Sequence, residues 1–223
     1  GSPPRETVPA ALPTVRAAPP APAVAAAAPA VALPMFRSSV GPITPELADR
    51  MTPSSWREGC PVPLEDLRYV TVSHVTFDGS VATGEVVVHA DVADAVVEVF
   101  ASLFAARYPV RSLRLVDDFG GDDDDSMAAD NTSAFNCRAI TGGTSWSEHA
   151  YGRAIDLNPV ENPYVLGRHV APPAGRAFAD RPDAPGVIHD DDVVVRAFAA
   201  AGWQWGGHWD GPVDYQHFSV SGR

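Results

Sequence analysis

Basic residues are scarce in this chain. The 16 Lys and Arg are outnumbered by 28 Asp and Glu, for a net charge of −12. That balance argues against a nucleic-acid partner, which needs a basic face. It argues equally against electrostatic docking on an anionic membrane. No apolar run is long enough to span a bilayer. Cysteine is nearly absent. Cys60 and Cys137 fit one disulfide in an exported protein or two thiols in a cytosolic one, and their spacing does not decide between these. Aromatic residues are missing from the first 34 positions, and charge almost vanishes after Arg16.

That N-terminal stretch is instead rich in Pro and Ala and has no periodic apolar face, which describes a semi-extended linker. Ala25–Ala28 is bracketed too tightly by Pro22 and Pro29 for a stable helix. At about 3.1 Å per residue such a segment reaches on the order of 100 Å, which suits either an anchored enzyme or a plain interdomain linker. Gly1-Ser2 reads as a cloning scar, so a leader or anchor is expected upstream of it. The domain division expected is a linker over 1–34 and one folded domain over 35–223. The chain is long enough, and at 45% hydrophobic apolar enough, for a substantial core.

Within that domain, Thr44-Pro45 marks a short helix start. Residues 67–77 alternate as a strand, Asp78-Gly79 signals a hairpin, and 83–89 return. Asp91 is expected to cap a helix over 92–107, with Val92, Val96, Val99, Phe100, Leu103 and Phe104 on one face. Residues 112–116 and 135–140 read as strands, and the acidic run 117–130 as a solvated loop or a weak cation site. Residues 158–183 read as an irregular, Pro-rich surface excursion. A helix over 193–201 follows Asp190-Asp191-Asp192 and stops at Gly202. Residues 203–205 and 215–220 are expected to complete a sheet. This order of helices and mostly antiparallel strands implies an α+β fold.

The chemistry concentrates in Ser147-Glu148-His149-Ala150-Tyr151-Gly152-Arg153-Ala154-Ile155-Asp156. His149 offers an imidazole and Asp156 a carboxylate, both ordinary zinc ligands. Gly152 and Ala154 suit a turn leading into a short buried strand, with Ala154 and Asp156 on one face. A third ligand, His217, lies in an apolar-aromatic stretch fit for a core strand, with Asp214 just before it. Three protein ligands and an open position make a catalytic zinc site. Asp214 and His217 cannot share a face of one regular strand, so a bend between them is expected. A Cys137 ligand would close the site, which favours a Cys60–Cys137 disulfide.

The pattern Ser-x-His-x-x-Gly-x-Ala-x-Asp followed by Asp-x-x-His resembles the D-alanyl-D-alanine carboxypeptidase family of zinc peptidases. That family includes D-Ala-D-Ala dipeptidases and L-alanyl-D-glutamate endopeptidases and shares its fold with Hedgehog signalling domains. The likeness extends to Asn131–Arg138, Asn158-Pro159, Asn162-Pro163-Tyr164 and the Trp203, Trp205 and Trp209 segment. The resemblance implies a zinc metallopeptidase with Zn²⁺ on His149, Asp156 and His217. It makes Asp214 the general base for attack of zinc-bound water, and places Arg138 on the substrate carbonyl. Many dipeptidases of the family carry Glu where this chain has Asp214, so the cleaved bond stays open. The implied partners are peptidoglycan stem peptides or related D-amino-acid peptides, met by a secreted or cell-envelope monomer. Ser147 and Trp209 are further candidates for substrate contact. Ser147 equally suits a turn cap, and Arg138 a buried ion pair. His74, His89, His169, His189 and His208 lack ligand context, although His208, beside Trp209, is placed to line the site. The competing reading is a non-catalytic zinc-containing module that binds wall or protein.

Overall fold

A computed structural model describes residues 9–25, 32, 34–140 and 142–223. The chain divides into two units, Gly1–Ala32 and Leu33–Arg223. In the first, residues 9–25 are exposed and without regular secondary structure. Ala26–Ala28 of the alanine run lie outside the described residues.

The second unit is α+β. Strands β1 (Ser38–Pro42), β2 (Leu67–Val75) and β3 (Val81–His89) form an antiparallel sheet in that order. Helix α1 (Pro45–Met51) begins as expected, with Thr44 Oγ1 accepting from Leu47 N at 3.3 Å. The hairpin between β2 and β3 turns at Gly79, whose φ of 83° explains the glycine. Helix α2 (Ala93–Ala105) packs on β2, and all six residues of its expected apolar face are buried. Burying a side chain as large as Phe100 contributes about 1.5–3 kcal/mol, so this face fixes the helix to the sheet.

Beyond it lie β4 (Ser112–Leu113), α3 (Asp123–Ala128) and β5 (Asn131–Thr132), with β4 and β5 paired in parallel. The site is built on β6 (Ala154–Asp156), β9 (Gln204–Trp205) and β11 (His217–Ser219), ordered β6-β11-β9. A separate sheet, β10-β7-β8, joins β7 (Tyr164–Leu166), β8 (His169–Ala171) and β10 (Val213–Asp214). Helix α4 (Val193–Ala200) is capped by Asp192, whose Oδ1 accepts from Val194 N and Val195 N at 2.9 and 3.0 Å. Its Phe198 stacks on Phe218 of β11, ring centroids 3.9 Å apart, and so backs the central strand of the site.

Several local expectations are corrected. Asp91 does not cap α2: Val92 holds that position without a side-chain bond, and Asp91 pairs with Arg153 at 2.9 Å. Residues 112–116 keep only two strand residues before a 3₁₀ turn at Val116–Phe119. The run 117–130 is not simply a loop. Asp122 Oδ1 accepts from Asp125 N at 3.0 Å, and the acidic residues head α3, where the helix dipole favours negative charge. Residues 135–140 form no named strand, only the bridge Ala139↔Trp146. The excursion over 158–183 contains the β7–β8 hairpin and is anchored by two fully buried asparagines. Asn158 Nδ2 donates to Pro109 O at 2.7 Å, and Asn162 Oδ1 accepts from Ile188 N at 2.8 Å.

Glu161 lies in the same excursion, buried beside Asp130 and 4.0 Å from Arg111 Nη2. Burial first, and then the Asp130 carboxyl, push its pKa up from 4.5 to about 9. Folding therefore favours the neutral acid. Stability from this group is complete below the unfolded pKa and is lost as pH rises towards the folded one. The melting temperature is expected to fall between about pH 5 and about pH 9, and to fall less in Glu161→Gln, whose amide does not ionise. Parallel pH profiles of the two proteins would exclude this role.

Candidate metal and peptide site

Two of the three proposed ligands face each other across the β6–β11 ladder, in the register His217↔Asp156. Directly opposed residues project from the same face of a sheet, so pairing alone brings this carboxylate and imidazole together. His149 arrives from the 3₁₀ turn Glu148–Tyr151 just before β6. Ser147 Oγ caps that turn by accepting from His149 N at 3.3 Å. The turn closes at Gly152, which has φ 69° and lies so close to β3 that a Cβ would meet His89 N at 2.5 Å. His89 N donates to Gly152 O at 2.9 Å and pins the turn. Gly206 does similar work on the other side, where a Cβ would come 2.5 Å from Asp214 O and 3.2 Å from His217 Cβ.

Backbone carbonyls orient both imidazoles. His149 Nδ1–H donates to Ala134 O at 2.7 Å, and His217 Nε2–H donates to Arg223 O at 2.7 Å. The remaining nitrogens turn inward: His149 Nε2 is 3.1 Å from Asp156 Oδ2, and His217 Nδ1 is 3.1 Å from Asp156 Oδ1. All three side chains are buried, and their ligand atoms lie within 4.8 Å of one another. His149 Nε2 has no hydrogen-bond partner among the described residues. A buried nitrogen left over, two tautomers fixed from outside and a central carboxylate together fit a divalent cation such as zinc. The electrostatics agree. Burial opposes ionisation of Asp156, but His149 and His217 overcome it and hold the carboxyl well below its ordinary range. Burial likewise opposes charge on His217, but Asp156 lifts its pKa to about 9, and a bound cation competes with that proton.

This cluster opens on a cavity of about 1190 Å³. Asp214 reaches it from β10, so the expected bend before His217 is real, with the two residues on different sheets. Its Oδ1 is buried and unpartnered among the described residues. Burial, then the Asp156 charge, push its pKa up to about 7. Arg138 also lines the cavity and forms an ion pair there, with Nη2 3.3 Å from Asp123 Oδ2. The Cys60–Cys137 disulfide is formed, Cα atoms 6.1 Å apart, and fastens the residue immediately before Arg138. Ser147 borders the cavity while acting as the turn cap, and Trp209 forms part of the wall, its ring 5.3 Å from His217. Trp203 and Trp205 are buried in the main core.

His208 is not in this wall and pairs instead with exposed Asp190 at 2.7 Å. Other cavity residues escaped sequence reasoning. Among them, Gln216 carries no motif of its own, and His169 joins the wall only because β8 folds back on β7. The one sequence signal for Gln216 was its place beside His217.

A His–Asp–His cluster beside an unpaired carboxylate in an open cleft has the parts needed for hydrolysis of a polar bond. Residues 141–220 match the model of the D-alanyl-D-alanine carboxypeptidase family. The matched stretch, about a third of the chain, is similar to the family to which the motif pointed and contains His149, Asp156, Asp214 and His217. The match supports a peptidase of the D-alanyl-D-alanine carboxypeptidase kind, acting on peptides. No curated protein and no solved structure matches the chain. Among the described residues, no helix is long and apolar enough to cross a membrane.

Proposed function

We propose that the protein is a zinc-dependent peptidase that hydrolyses amide bonds in peptidoglycan stem peptides, as a D-Ala-D-Ala carboxypeptidase or an L-Ala-D-Glu type endopeptidase. The observation that carries this reading is the convergence of His149, Asp156 and His217 on one point of a cavity that also holds Asp214 and Arg138. His149 Nε2, His217 Nδ1 and the Asp156 carboxylate would hold the ion. When bound, zinc supplies a Lewis acid that acidifies water and polarises a carbonyl. Asp214 takes the proton of the attacking water and returns it to the leaving amine nitrogen. Arg138 offers a fixed positive charge to the carbonyl oxygen as water adds to the carbon and negative charge develops on that oxygen. Ser147 holds the His149 turn in place, and Trp209 walls the cleft.

The disulfide supports action outside the cytoplasm, where such bonds persist. The Pro/Ala-rich residues 1–34 serve as a linker, and residues 35–223 act as a monomeric peptidase domain. The deciding experiment measures zinc content and digests defined muropeptides, weighing the products. One zinc per chain and a shorter stem peptide are the expected results. Binding to peptidoglycan with no peptide product overturns the reading in favour of a non-catalytic module.

A further inference from the structure

We propose that Asp123 is a positioning residue for Arg138, its carboxylate holding the guanidinium where the cleft meets a substrate carbonyl; this rests on the peptidase reading above. Both side chains line the cavity, and Arg138 Nη2 is 3.3 Å from Asp123 Oδ2. Among the described residues, Arg138 makes no other ion pair, and its buried Nε has no hydrogen-bond partner. The backbone of Arg138 is already fixed. Cys137 before it is bonded to Cys60. Arg138 O accepts from Ser147 N at 2.9 Å, and Arg138 N donates to Asn136 O at 3.0 Å. What remains free is a long side chain with several rotatable bonds, and Asp123 is the charged group that restrains it.

Asp123 is set apart from its acidic neighbours by position alone. Asp122 caps α3, and Asp124 and Asp125 are exposed, whereas Asp123 turns towards Arg138. The Arg138 and Asp123 side chains are 27% and 25% exposed. A pair that water reaches from both ends stabilises a fold only slightly, so stability is a weak reason for this one. Aim is a stronger reason. A positive charge already directed at the oxygen on which negative charge develops need not be reorganised during the reaction. An arginine left to rotate would first have to be brought into place, and small misplacements of a catalytic group are costly in rate.

The test is a double-mutant cycle in zinc-loaded protein. Wild type, Asp123→Asn, Arg138→Ala and the double variant are compared, with Asp123→Ser as a second uncharged variant and Asp123→Glu as the conservative one. Metal content, melting temperature, kcat and KM are measured with an N-acetylated peptide ending in D-alanyl-D-alanine. Asp123→Asn is expected to keep its metal, to melt close to wild type and to lose roughly 10–100-fold in kcat/KM. Asp123→Glu is expected to recover part of that loss. In the Arg138→Ala background the Asp123 substitutions are expected to cost nothing further, since no guanidinium remains to be aimed. An equal loss in that background places the effect of Asp123 elsewhere and overturns the proposal. Wild-type kcat/KM in Asp123→Asn overturns it too, as does loss of its metal. Affinity for the same peptide is measured by calorimetry through the same cycle, with Asp214→Asn added to each protein so that turnover does not intervene. Wild type that binds the peptide but releases no product sinks the hydrolase reading alone, and coupling between Asp123 and Arg138 in Kd then decides the proposal. Wild type that neither binds nor cuts this peptide removes both.

Discussion

Asp214→Asn is expected to keep its metal and lose about 10²–10⁴ in kcat, the usual contribution of general acid–base catalysis. The substitution preserves shape and removes the only proton-accepting function of the side chain. Asp214 sits on β10, in a different sheet from β6 and β11, which carry Asp156 and His217, so its replacement leaves the His217↔Asp156 pairing untouched. Its Oδ1 makes no hydrogen bond among the described residues, so the amide breaks no internal contact at that atom. Metal analysis and steady-state kinetics on one stem peptide check the two halves together. A zinc-replete Asp214→Asn with wild-type kcat would remove Asp214 from the mechanism.

Loss of a ligand is expected to act in the opposite order, on metal first and on rate as a consequence. Asp156→Ala has the largest effect because its two oxygens face both histidines, each at 3.1 Å. Without it, two neutral nitrogens remain and the charge that offsets the cation is gone. Zinc content near zero and no measurable hydrolysis are expected for Asp156→Ala, with similar losses for His149→Ala and His217→Ala. In the wild type, a chelator should abolish activity and added zinc should restore it. Full zinc retention in all three variants would discard the ligand assignment.

The pairing of His149 with Asp156 was legible in the sequence because the geometry that joins them is local. A 3₁₀ turn, a glycine and a three-residue strand fix His149 relative to Asp156. The β2–β3 hairpin and the apolar face of α2 were legible for the same reason, since turn chemistry and periodicity act within a few residues. What escaped depends on distant partners. Asp91 has the right chemistry for a cap, but Arg153, far along the chain, holds its carboxylate instead. The β7–β8 hairpin hides in a proline-rich run because its strands are three residues each, too short to show alternation. Asn158 and Asn162 look like surface residues until the backbone groups they satisfy come into view. No local rule reports that the Gln216 amide lacks partners among the described residues, because that is a property of everything around it.

The opposed pair His217↔Asp156 has one more consequence. Strand side chains alternate, so slipping β11 by one residue would turn His217 to the other face of the sheet. A cation at this site therefore recognises only the correctly registered ladder and binds the unfolded chain poorly. By mass action it draws the folding equilibrium towards that register, by about 4 kcal/mol when free metal exceeds its dissociation constant roughly a thousandfold. A metal held by this cluster would thereby also act as a proofreader of strand alignment.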